Sequence, residues 1–160
     1  MGRVEADFAV LVGRAGRSDL RRSSSGTRWT NRQLLFHMLF GYLLIRRLRP
    51  LVLLLSRLPA TVRRGFATTL NAATRPFHVI NYLGSAAGGT VLSPRAVVRW
   101  TDTTIAAVQR RVAHETDENL DRTINLPTGW DPYFQQTMSL REIYHYAIQH
   151  FDHHRAQLSL

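Results

Sequence analysis

Apolar residues recur at helical spacing in four stretches of the chain, separated by polar segments. Val4, Phe8, Leu11 and Val12 share one face and predict a first helix over residues 4–15, weakened at its end by Gly13 and Gly16. Residues 17–28 contain a Ser-Ser-Ser-Gly run and read as a loop. Thr30-Asn31-Arg32-Gln33 is a capping box that opens a second helix, with Trp29 placed to staple onto Leu34 or a near neighbour. Leu34, His37, Met38, Gly41, Leu44, Ile45 and Leu48 form its inner stripe. Pro50 is expected to kink or end this helix near Arg49, and 51–58 reads as a buried continuation. Arg46, Arg47, Arg49 and Pro50 break the apolar run into pieces too short for a bilayer.

Residues 59–89 are expected to form a short helix near 62–73 and then a loop through Ser-Ala-Ala-Gly-Gly, an insertion that either walls a cleft or is plain connecting structure. Ser93-Pro94 marks a third helix start, followed by Val97, Trp100, Thr101, Ile105, Val108 and Val112 at period 3.6. Residues 117–132 carry Pro127, Gly129 and Pro132 and read as a loop. Ser139-Leu140-Arg141-Glu142 is a second capping box. The helix it opens has Leu140, Ile143, Tyr144, Ala147, His150, Phe151, His154 and Leu158 on its inner face. No strand pattern competes. The expected fold is all-α: a four-helix bundle with main helices near 4–15, 31–57, 94–117 and 140–158. The insertion lies between the second and third, and residues 1–160 are expected to form one domain.

Composition narrows the chemistry. Cysteine is absent, so disulfides, thiolate–metal sites and thiol nucleophiles are excluded from the chain itself. All 21 basic residues are arginine, which points to a GC-rich genome, and the formal charge is +10. That charge is read either as a solvated basic surface or as attraction to an anionic partner. In the second case Arg46, Arg47, Arg49, Arg57, Arg63 and Arg64 would dock on nucleic acid or anionic membrane. Glu5 and Asp7 near the start, with no long apolar stretch after them, do not resemble a signal peptide; a cytoplasmic location is expected.

The candidate chemistry lies in the histidines. His150 and His154 are one turn apart on one helix face, and His37 lies on the inner stripe of another helix. Three neutral imidazoles meeting in a bundle core can hold one cation and leave a position open for water or substrate. Three separately satisfied core histidines are the plainer alternative. His153 is turned about 100° from His154, His145 lies off the stripe, His114 is near a helix end, and His78 falls in the insertion. There is no G-x-S-x-G elbow, no phosphate-cradling glycine loop and no H-E-x-x-H.

Trp29-Thr30 followed by Leu-Leu-Phe-His37, together with His150-x-x-x-His154-Arg155-x-Gln157 in the last helix, resembles the DinB/YfiT-like superfamily of metalloenzymes. The resemblance implies a four-helix bundle whose metal ligands fall on His37, His150 and His154. It also implies kinship with thiol S-transferases, in which a metal lowers the pKa of a low-molecular-weight thiol that attacks an electrophile. A lysine-free chain looks actinobacterial, which favours mycothiol as that thiol. Imidazole suits zinc, nickel, iron or copper. Zinc is expected by availability, with nickel, iron or manganese as alternatives.

The expectation is thus a metal-dependent transferase or hydrolase acting on a small electrophile. A metal-containing bundle that binds a ligand or partner without chemistry is the alternative. Arg155, Gln157, His78 and Tyr82 are candidates for holding a cofactor, although an arginine there also complements the helix dipole. Phe77, His78, Asn81, Tyr82 and Trp130 are candidates for lining the cleft. The expected partner is a small-molecule substrate, with no specific nucleic acid and no transmembrane segment, and with a homodimer left open.

Overall fold

The computed structural model describes residues 2–160. The elements in chain order are α1 (Gly2–Arg14), α2 (Arg17–Arg21), α3 (Asn31–Leu55), α4 (Ala60–Ala72), α5 (Thr74–Val91), α6 (Pro94–Ala113), α7 (Asp117–Leu120), β1 (Thr123–Asn125), β2 (Thr137–Ser139) and α8 (Leu140–Gln157). The fold is helical, as expected. Helix α3 is its axis: α5, α6 and α8 pack on it, and α1 packs on α6.

The three local start signals work as read. Thr30 accepts from the Gln33 backbone N–H while the Gln33 side chain accepts from the Thr30 N–H, and Ser139 and Glu142 do the same at α8. Ser93 caps α6 with Pro94 at its first position. A core runs through the helices from Val4 and Phe8 to Leu39, Tyr42 and Ile45, and on to Ile105, Ile143 and Phe151. Ion pairs Arg3–Asp152 and Arg155–Asp7 tie α1 to α8.

Several expectations are corrected. Helix α3 runs through Pro50 to Leu55, and only Val52 of its last turns is buried, with Leu54 exposed. The loop expected over 17–28 contains α2, and the loop over 117–132 contains α7 and β1. A short antiparallel ribbon forms where no strand was read, pairing Ile124 with Met138. It is too short to show alternation, and both of these side chains are buried. No helix among the described residues is long and apolar enough to cross a membrane.

The largest difference lies in the expected insertion. After α4, the Ser-Ala-Ala-Gly-Gly run is not a loop but the end of α5, which lies along α3. Glycine is poor in isolated helices, yet here it permits close approach. A Cβ on Gly88 would meet the Phe36 ring at 2.2 Å, and one on Gly89 would meet the Gln33 Cα at 2.6 Å. Tertiary packing overrides propensity at this contact. Gly84, one turn earlier, has nothing within 4 Å of an added Cβ.

This difference is testable by chemical denaturation. Gly89→Ala is expected to cost about 1–3 kcal/mol, because the new methyl group meets backbone rather than a side chain that can swing away. Gly84→Ala is expected to stabilise by roughly 0.5–1 kcal/mol through the helix preference for alanine. Equal effects of the two would contradict the close α3–α5 approach.

Candidate metal centre

The three inner-face histidines come together where α3 meets α8. His37 and His150 are buried, and His154 is 9% exposed. His37 Nε2 lies 3.1 Å from His154 Nε2 and 3.2 Å from His150 Nε2. One ring nitrogen from each lies within 4.8 Å of the others.

Two of the outer nitrogens are held by neighbours. His154 Nδ1–H donates to Gln157 Oε1 at 2.7 Å, which leaves the lone pair on its Nε2. His37 Nδ1 pairs with the buried Ser85 Oγ of α5 at 3.1 Å. Burial disfavours the charged forms. It is the main cause that, with His154 nearby, pushes His37 down to about 3 against an opposing hydrogen bond from Asn81. Burial likewise lowers His150 and His154. Neutral imidazoles with inward lone pairs are what a divalent ion requires. A tetrahedral zinc with Zn–N bonds of about 2.0–2.1 Å needs ligand nitrogens about 3.3 Å apart, close to the two spacings observed. His37, His150 and His154 can therefore hold a metal ion.

Neighbouring residues shape the site, and several were not singled out from sequence. Gly41 makes room for a ligand: a Cβ there would lie 2.7 Å from His150 Cε1 and 2.8 Å from Nδ1. Trp29 does not simply staple the helix start. Its ring stacks on His37 at 4.4 Å and faces Tyr82 at 6.1 Å, and its Nε1–H donates to the Tyr82 carbonyl. The buried Asn31 donates to the carbonyls of Asp19 and Ser159 and accepts from the Ser159 N–H, which ties the C-terminal end to the start of α3. A Gly at a helix centre and an Asn after a cap carry these roles without any distinguishing local pattern.

A cleft of ≈ 320 Å³ opens beside His154, lined by Gly26, Thr27, Arg28, Trp29, His78, Asn81, Tyr82, His154 and Gln157. The structure thus brings His78, Asn81, Tyr82 and Gln157 to one place. Phe77 and Trp130 lie elsewhere: their rings stack on each other at 4.0 Å, and Trp130 Nε1–H donates to the Leu70 carbonyl, a clasp between α4–α5 and the segment before β2. Arg155 is likewise absent from the cleft lining and pairs with Asp7 of α1. His153 is held away from the cluster by Tyr133, whose hydroxyl lies 3.1 Å from its Nδ1. His114 and His145 are exposed.

The lowered histidine values have a consequence for metal-free protein. In the unfolded chain a histidine takes up a proton near 6.5, whereas folded His37 resists until about 3. Protons therefore bind the unfolded state preferentially across that window, and stability falls as pH drops through it. In chelator, the urea midpoint is expected to fall between about pH 7 and 5.5, above the range where carboxylates titrate. A level or rising midpoint would contradict the buried neutral cluster.

No curated protein and no solved structure matches the chain. The model of the DinB superfamily matches residues 2–158, and the chain belongs to that superfamily.

Proposed function

We propose that this chain is a metal-dependent enzyme of the DinB superfamily, in which His37, His150 and His154 ligate one divalent ion, zinc in preference to nickel, iron or manganese. The observation that carries the proposal is the set of three buried Nε2 atoms at 3.1 and 3.2 Å, with the Nδ1 of His154 held by Gln157 and that of His37 by Ser85. Three such nitrogens facing one another in a buried site match the donor set of a divalent ion. Three protein ligands leave a coordination position open, and the cleft beside His154 gives access to it.

When bound, the metal supplies a thiolate or hydroxide at neutral pH by lowering the pKa of a thiol or water. The chain's own groups position and shield. Trp29 covers His37 and limits water on that side. Gln157 orients the His154 ring. Asn81 and Tyr82 line the cleft with an amide and an aromatic side chain. The reaction class we favour is transfer of a low-molecular-weight thiol, mycothiol by preference, to a small electrophile, with hydrolysis as the competing reaction. We also place the protein in the cytoplasm as one domain over residues 1–160. A homodimer and a purely ligand-binding role are the alternatives to a monomeric enzyme.

Metal-loaded protein is expected to accelerate the loss of 1-chloro-2,4-dinitrobenzene in the presence of mycothiol. His154→Ala should abolish the acceleration, and His153→Ala should retain it, because residue 153 is held outside the cluster by Tyr133. Acceleration with no dependence on thiol would favour hydrolysis. None with any thiol or ester would favour the binding role.

A further inference from the structure

Among the described residues, the cleft beside the histidines is lined by one arginine, and that arginine makes no ion pair. Arg28 lies with its guanidinium over the Tyr82 ring, 5.2 Å from the centroid, and among the described residues it makes no ion pair. No Asp or Glu lines the cleft. Asp131, whose charge reaches His154, is already engaged: it accepts from the Tyr146 hydroxyl at 2.7 Å and from the Tyr133 N–H at 2.9 Å. His78 is tied to the Gly129 carbonyl, and Arg155 to Asp7. A ligand in the cleft therefore meets a guanidinium with no carboxylate among the lining residues, and an ion held by the histidines would add to that positive field.

The position of Arg28 is built into the chain. Its loop turns at Gly26, whose φ of 69° favours glycine. Ser24 N–H donates to the Trp29 carbonyl at 3.0 Å, and Ser25 N–H to the Gln157 carbonyl at 2.8 Å, so both ends of the loop are fastened beside the site. At 5.2 Å from the Tyr82 centroid the guanidinium is within cation–π range of the ring, and its forked N–H donors match a carboxylate with two hydrogen bonds. Next to it, Trp29 and Tyr82 lie nearly parallel, 16° apart, and both line the cleft with aromatic surface.

We propose that Arg28 is the anion-recognising residue of this cleft, and that the substrate class is a flat, unsaturated or aromatic monocarboxylate whose body lies along Trp29 and Tyr82. The inference rests on the reading of the cleft as the substrate site of the metal centre. The carboxylate takes the unpaired guanidinium, and the apolar body takes the aromatic surface.

Calorimetric titration of zinc-loaded protein with trans-cinnamate and with neutral cinnamamide tests this. The two differ only in the charged group. Wild type is expected to prefer cinnamate by roughly tenfold or more, the scale of a hydrogen-bonded charge pair. Arg28→Gln should bring the two to near parity with zinc content unchanged. Arg28→Lys, which keeps charge but loses the planar fork, should fall between. Direct capture of the carboxylate by the metal is separated by the metal-free His37→Ala/His154→Ala variant, in which the Arg28-dependent preference should persist. No preference in wild type, or an undiminished one in Arg28→Gln, overturns the proposal. An Arg28-dependent preference in a wild-type protein that takes up no zinc would overturn the metal reading and leave this one standing.

Discussion

Three buried imidazole nitrogens brought to one place are the constraint around which this structure is arranged. Neutral rings that close together are held neutral by burial, and their inward nitrogens have no hydrogen-bond donor between them once the outer nitrogens carry the protons. Gln157 accepts from the outer nitrogen of His154, and Ser85 pairs with the outer nitrogen of His37. A cation at the centre converts the arrangement from costly to favourable. The surrounding features follow from this need. Gly41 gives His150 its space, α5 must come close enough to α3 to present Ser85, and Gly88 and Gly89 let it do so.

Parts of this were legible in the chain and parts were not, for physical reasons. The starts of α3, α6 and α8 rest on side-chain caps within four residues of sequence, so local reading sufficed. The histidine pair is also local, since a helix places residues four apart on one face. His37 could be added because its stripe faced inward. Helix α5 escaped because its glycines are unfavourable for an isolated helix and earn their place only against Phe36 and Gln33, which are more than fifty residues earlier. The β1–β2 ribbon escaped because three residues a side carry no readable period. Phe77 and Trp130 were expected to line the cleft, but they stack on each other instead, a pairing between segments more than fifty residues apart that no local pattern announces. Trp29 and Arg28 were hidden for a different reason: their roles depend on Tyr82, brought to them by α5.

Membership of the DinB superfamily and the geometry support each other without being the same argument. The family accounts for a helical fold over nearly the whole chain. The geometry accounts for which histidines converge, why His153 does not, and which cleft opens beside them. The +10 charge has one local expression in the unpaired Arg28 at the cleft, while other arginines are spent on ion pairs such as Arg3–Asp152 and Arg49–Glu115.

Metal stoichiometry of protein purified without an affinity tag is the most direct test of the central claim. Wild type should contain close to one equivalent of a divalent transition metal per chain, and the His37→Ala/His154→Ala variant essentially none. Equal metal content in the two proteins would show that these are ordinary core histidines and would contradict the account.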